Sequence, residues 1–156
     1  MAHFVILDDD ETFGRMLSRG LRSHEISSEH YSEFSALVAG RAACAAETPE
    51  PDVYVVDLSM PDPNGVHWEF GGILALKQLR ESVGEAAMIW VLTGYEDPRI
   101  ERECCRNGAN FVLFKSFGVA ETAEDLALAW RDTAQKQKQR REAQSDIERG
   151  GAAPLF

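Results

Sequence analysis

Basic residues are scarce in this chain: 16 Lys+Arg stand against 26 Asp+Glu, a formal net charge of -10 over 156 residues. A direct nucleic-acid partner is therefore not expected, because phosphate binding needs a basic face. Long hydrophobic runs are missing too. The longest, Ala86-Ala87-Met88-Ile89-Trp90-Val91-Leu92, falls far short of the roughly 20 apolar residues a bilayer span needs, so no membrane helix is expected. The start, Met1-Ala2-His3-Phe4, meets Asp8-Asp9-Asp10 almost at once, which is unlike a secretory signal. Cysteine is sparse: Cys44, Cys104 and Cys105 form no CxxC pair and no cluster of zinc spacing. An odd count without a signal suits a reducing cytosol, so a cytoplasmic protein is expected. Cys104 and Cys105 read as small apolar residues of a helix, one of them facing inward. What the chain does have is 44% apolar residues and a length suited to one packed domain.

Apolar runs and helical periodicity alternate along it. Phe4-Val5-Ile6-Leu7 is continuous, the pattern of a strand covered on both faces. Phe13, Met16, Leu17 and Leu21 give Glu11 to Ser23 one apolar helical face. Ile26 to Tyr31 is a mostly polar strand that belongs near a sheet edge, and Ser35 to Ala46 is a helix stopped by Pro49 and Pro51. Val53 to Val56 makes the third strand, ending at Asp57, and a turn rich in Pro, Asn and Gly follows. Ile73 to Arg80 is amphipathic, and Met88 to Leu92 is the fourth strand. Asp97-Pro98 reads as an N-cap with Pro at the first helical position, opening a helix to Arg106 that Asn107-Gly108 closes. Phe111 to Phe114 is the fifth strand, and the last helix starts by Glu121. This alternation predicts an α/β fold with a five-stranded parallel, doubly wound sheet.

Ligands of such sheets bind at the carboxyl ends of the strands. The residues there are Asp8-Asp9-Asp10, Asp57, Thr93 and Lys115. Each alone would be a cap, a turn residue or a solvated charge; all of them at one topological position are much harder to dismiss. Clustered carboxylates repel, and a divalent cation removes the conflict. Mg2+ suits them better than zinc, because only hard oxygen ligands are on offer. A cation, an ammonium and a hydroxyl beside a carboxylate make a site for phosphoryl oxygens, with Asp57 as the nucleophile toward phosphorus.

With these motifs in place, the sequence resembles the receiver domain of two-component response regulators over about residues 3 to 130. The matching segments are Val5-Ile6-Leu7-Asp8-Asp9-Asp10, Val55-Val56-Asp57-Leu58-Ser59-Met60-Pro61 with Gly65, Val91-Leu92-Thr93-Gly94, Gly108-Ala109 and Lys115. The resemblance implies a flavodoxin-like strand order, 2-1-3-4-5. It implies that Asp57 accepts a phosphoryl group from a histidine kinase or phosphotransfer protein, with Mg2+ held by Asp8 through water and by Asp9, Asp57 and the Ser59 carbonyl. Thr93 and Lys115 would bind the phosphoryl group. Ser59 and Tyr95 would set how long the acyl phosphate lasts, and Asp10, outside the acidic pair, would start the first helix. The implied protein is a switch and not an enzyme beyond its own phosphorylation and slow dephosphorylation. It would signal to a downstream protein through the fourth helix, fifth strand and fifth helix, which Arg99, Arg102, Glu103 and Arg106 would line, and a homodimer is a further partner to expect. Two alternatives stand beside it: a receiver-like interaction module that works without phosphorylation, and a phosphohydrolase of the haloacid dehalogenase class. The second would need an acid where Ser59 stands.

Three departures accompany the resemblance. Ser116 follows Lys115 where the family has proline; a cis bond to a non-proline residue costs about 3 kcal/mol, so Lys115–Ser116 is expected to be trans unless its surroundings hold it. Val112 occupies the position of the family's switch aromatic; Phe111 lies on the opposite face, and Phe114 reads as core. His67-Trp68-Glu69-Phe70-Gly71-Gly72 is an extra piece, either a docking or lid element or an irregular helix start. The composition changes at Asp132. Five basic and four acidic residues in 132–156 leave 1–131 with a net charge of -11. The expected division is a receiver at 1–131, then an extended last helix and flexible tail at 132–156.

Overall fold

The computed structural model describes residues 1–44, 50–66, 71–116 and 118–150. Among these residues, five strands alternate with five helices: β1 (Ala2–Leu7), α1 (Glu11–Arg22), β2 (Ile26–Tyr31), α2 (Phe34–Cys44), β3 (Val53–Asp57), α3 (Gly71–Val83), β4 (Ile89–Thr93), α4 (Pro98–Arg106), β5 (Phe111–Phe114) and α5 (Val119–Gly150). The strands form one sheet in the order β2-β1-β3-β4-β5, and every pair is parallel. This is the doubly wound, flavodoxin-like sheet that the alternation and the resemblance together predict.

The continuous apolar runs are explained by burial on both faces. Val5, Leu7, Val56 and Val91 face one layer, where Leu37 of α2, Leu76 and Leu79 of α3 and Cys104 of α4 cover them. Phe4, Ile6, Val55, Trp90 and Leu92 face the other, under Leu17 and Leu21 of α1 and Leu126 of α5. Phe4 is the centre of that layer, meeting Trp90 and Trp130 edge-on at 5.7 and 5.9 Å. Rings in this orientation contribute about 0.5–1.5 kcal/mol beyond their buried area. The polar strand β2 is an edge, as its composition requires. Cys104 is buried and Cys105 exposed, and burial pushes the Cys104 thiol up to about 11, which keeps it protonated and inert.

Helix ends follow local chemistry. Asp10 accepts from the Phe13 N–H and caps α1, and Asp97 accepts from the Arg99 N–H and caps α4. The less obvious tie is Arg80, at the last turn of α3. Its guanidinium donates to the carbonyls of Gly108, Gly84 and Ala87 and to Asn110 Oδ1, at 2.7–3.0 Å. One side chain thus joins the end of α3 to the turn that leads into β4 and to the turn that leads into β5.

Two expectations need correction. Phe114 is not core: it is 37% exposed and Phe111 is 47% exposed, because β5 is the second edge of the sheet and its faces are incompletely covered. The last helix begins at Val119, earlier than Glu121, and continues to Gly150. No peptide bond among the described residues is cis, so Lys115–Ser116 is trans. His67-Trp68-Glu69-Phe70 lie outside the described residues; Gly71 and Gly72 are the first turn of α3.

Candidate functional site

The central strands β1 and β3 end side by side, with Leu7 opposite Val56. The next residues, Asp8 and Asp57, are therefore neighbours at the sheet's carboxyl edge, and both are buried. Asp9 joins them: the three carboxylates offer oxygens that lie within 4.8 Å of one another. Local bonds hold the group. The Asp8 N–H donates to the Tyr31 carbonyl at 3.1 Å, and the Asp10 N–H donates to Asp8 Oδ1 at 2.9 Å. The Ser59 hydroxyl donates to Asp57 Oδ2 at 2.9 Å, and its backbone N–H lies 3.3 Å from Asp57 Oδ1.

Lys115, one residue beyond β5, reaches across β4 to this group. Its ammonium lies 3.2 Å from Asp57 Oδ1 and 3.5 Å from Asp8 Oδ2. The Phe13 ring supports it from α1, with the nitrogen 4.5 Å from the ring centroid, a cation–π contact of about 0.5–2 kcal/mol. The lysine's backbone is also anchored, its N–H donating to the Thr93 carbonyl at 2.8 Å. Ser116 donates to Asp125 Oδ2 at 2.6 Å, tying the loop after β5 to α5 with the trans peptide in place. Thr93 is buried at the end of β4, and its hydroxyl oxygen accepts from the Tyr95 N–H at 3.0 Å. Asp8, Asp9, Asp57, Ser59 and Lys115 thus converge, while the Thr93 hydroxyl is engaged with its own loop.

One ammonium does not balance three carboxylates. Burial first, and the charge on Asp57 second, push the Asp8 carboxyl up to about 7, against the pull of Lys115. Asp8 Oδ2 is buried and accepts no hydrogen bond; the Lys115 ammonium lies 3.5 Å from it. An all-oxygen set with an orphaned carboxylate oxygen fits a hard divalent cation.

The periodicity of the sequence did not reveal what holds the Asp57 loop. A Cβ at Gly71 or Gly72 would overlap the backbone carbonyls of Met60 and Leu58, and one at Gly72 would come within 2.6 Å of the Asp57 carbonyl. The glycine pair lets α3 start directly against this loop, where the Gly72 N–H donates to the Leu58 carbonyl at 3.0 Å. Two adjacent glycines opening a helix were the available signal.

Comparison with known proteins adds the lineage. The family described as "Response regulator receiver domain" matches residues 4–127. The KDP operon transcriptional regulatory protein KdpE of Escherichia coli (strain K12) is 25% identical over 131 residues, which are 84% of this chain and 52% of that protein. The chain therefore spans about half the length of that relative. A response regulator receiver domain protein from Clostridium thermocellum superposes with a TM-score of 0.65 at 19% identity, covering 89% of this chain and 98% of the other. A CheY-like receiver domain protein from Methanospirillum hungatei gives 0.63 at 16% identity, covering 90% and 98%. At such identities these two structures speak for the fold alone.

Proposed function

The chain belongs to the response regulator receiver domain family, and on that premise we propose that it is a phosphorylation-dependent switch of two-component signalling whose acceptor is Asp57. The observation that carries this reading is the Lys115 ammonium lying between Asp57 and Asp8 beside a buried carboxylate oxygen that lacks a hydrogen bond. Asp57 attacks the phosphorus of a phosphohistidine in a histidine kinase or phosphotransfer protein. The new Asp57 O–P bond forms as the P–N bond breaks, and the imidazole leaves with the electron pair. Lys115 then pairs with a phosphoryl oxygen, and the Thr93 hydroxyl, released from Tyr95, donates to another. Mg2+ bound by Asp9, Asp57, the Ser59 carbonyl and, through water, Asp8 would neutralise the carboxylates and the incoming phosphoryl oxygens.

The test is intact mass after incubation with a small phosphodonor and Mg2+. A gain of one phosphoryl group that is lost in Asp57→Asn is expected; no gain in the wild type would favour the phosphorylation-independent module instead. Ser59→Ala should still accept the group, with a changed acyl-phosphate lifetime, because its hydroxyl touches the Asp57 carboxylate. An unchanged decay rate would remove that role.

The receiver proper would be residues 1–131, with 132–156 as a helical extension and tail, working in the cytoplasm. Its output surface would be the α4–β5–α5 face, where Tyr95, Phe111 and Phe114 are exposed. Arg99 and Arg106 on α4 already pair with Asp97 and Glu103, so the aromatic residues are the stronger candidates for partner contact.

A further inference from the structure

Asp8 lies one residue past the end of β1, where the sheet ladder has stopped and its carbonyl needs a partner from elsewhere. His30 supplies it, with Nε2 2.8 Å from the Asp8 carbonyl oxygen. A carbonyl only accepts, so Nε2 carries the hydrogen and donates. Sheet register makes the reach possible: His30 pairs with Ile6 and so projects, like Ile6, toward the layer covered by α1. The ring occupies a notch in that helix. A Cβ at Gly14 would overlap Nε2, Cδ2 and Cε1 of His30, and Gly14 is buried, the fourth residue of α1. A glycine inside a helix costs about 1 kcal/mol relative to alanine, so α1 bears a penalty at the one place where the imidazole must pass. Together, the Tyr31 carbonyl and the His30 ring hold the Asp8 N–H and C=O. Consecutive residues of the edge strand therefore hold the peptides on both sides of Asp8: Tyr31 the Leu7–Asp8 unit and His30 the Asp8–Asp9 unit, from whose ends the Asp8 and Asp9 side chains diverge.

We propose that His30 is a positioning residue for the acidic pocket: seated in the Gly14 notch, it locks the Asp8–Asp9 peptide so that both carboxylates converge on one cation. The proposal rests on the reading of that pocket as a divalent-cation site. Without the bond the Asp8 carbonyl loses this partner, and the Asp8–Asp9 peptide is held less tightly in the orientation that brings the two carboxylates together. Outer partners of metal ligands commonly contribute about 10–100-fold in affinity.

The test is calorimetric titration of the full chain with Mg2+ alone, with melting temperature recorded in parallel. His30→Phe keeps a planar ring but cannot donate, and should weaken Mg2+ binding by about tenfold or more. His30→Gln retains a donor and should recover most of the affinity. Gly14→Ala should weaken binding in the same way by displacing the ring, and in a His30→Ala background should instead raise the melting temperature. A wild type that does not bind Mg2+, or binding that survives Asp9→Asn, would overturn the pocket reading itself. Wild-type binding that His30→Phe and Gly14→Ala leave unchanged would overturn only the role of His30, as would lowered melting temperatures with intact affinity. Should these variants fail to fold, nitrogen NMR of the wild-type imidazole decides: the Nε2–H tautomer is expected, and the Nδ1–H tautomer sinks the proposal.

Discussion

Asp8 is the residue whose electrostatics differ most from those of the free side chain. In the unfolded chain it ionises near 3.8; in the fold, burial and Asp57 raise it to about 7. Between these values the folded protein keeps a proton that the unfolded chain has lost. Its contribution therefore lowers stability progressively as pH rises through that window, and the loss is complete above it. Asp8→Asn should consequently melt higher than the wild type at pH 8 in the presence of chelator, with the difference vanishing toward pH 4. One kcal/mol corresponds to about 2–4 °C in a chain of this size, so the gap is readable by differential scanning calorimetry. Added Mg2+ should close it by raising the wild type and not the variant. A variant that melts lower at pH 8 would mean the site does not hold repelling carboxylates. Lys115, which offsets part of this repulsion, is itself braced twice, by the Phe13 ring and by its backbone N–H on the Thr93 carbonyl.

At the scale of elements, α3 matters most because it is anchored at both ends. Its first turn presses on the Asp57 loop through Gly71 and Gly72, and its last turn holds the turns that lead into β4 and β5 through Arg80. Arg80→Met keeps the apolar stem and removes every donor, leaving the carbonyls of Gly108 and Ala87 without this partner. A loss of about 2–3 kcal/mol in urea unfolding is expected, with phosphorylation of the surviving folded protein unchanged. Gly72→Ala should act differently, since its Cβ meets the Asp57 and Leu58 carbonyls. Phosphorylation should slow more than stability falls, and a variant that accepts the group at the wild-type rate would show that α3 does not position the loop. The caps Asp10 and Asp97 could be read from neighbouring residues alone. Arg80 could not, because its partners lie up to 30 residues away.

For the whole molecule the question is where the compact body stops. Beyond Ala134, α5 is exposed on nearly all sides, and it carries i,i+4 pairs such as Lys136–Asp132 and Lys138–Glu142. Such pairs contribute only about 0.3–0.5 kcal/mol each. Ending the chain at Ala134 should therefore leave the melting temperature and Asp57 phosphorylation unchanged, while helical ellipticity falls. A truncated chain that melts several degrees lower would show the extension to be part of the body. Among the described residues, no helix is long and apolar enough to cross a membrane. Phosphorylation should alter hydrogen exchange across α4 and β5 if that face carries the output, and identical exchange there would redirect the search for a partner surface. Val112 is buried in the core, so no aromatic side chain at that position carries such a response.

The amino-acid order alone determined the alternation of strands and helices, the edge position of β2, two helix caps and the acids, hydroxyl and lysine at the strand ends. These follow from local periodicity and from the rule that parallel strands present their ends together. Only the tertiary structure decided which side chains serve them. The His30 donor to Asp8, the Phe13 ring under Lys115, the Ser116–Asp125 tie beside a trans peptide, the Gly71-Gly72 contact and the exposure of Phe114 depend on packing between elements. A hydrogen bond across 22 residues or a ring filling a helix notch leaves no periodic trace along the chain, because it is set by the spacing and tilt of packed layers.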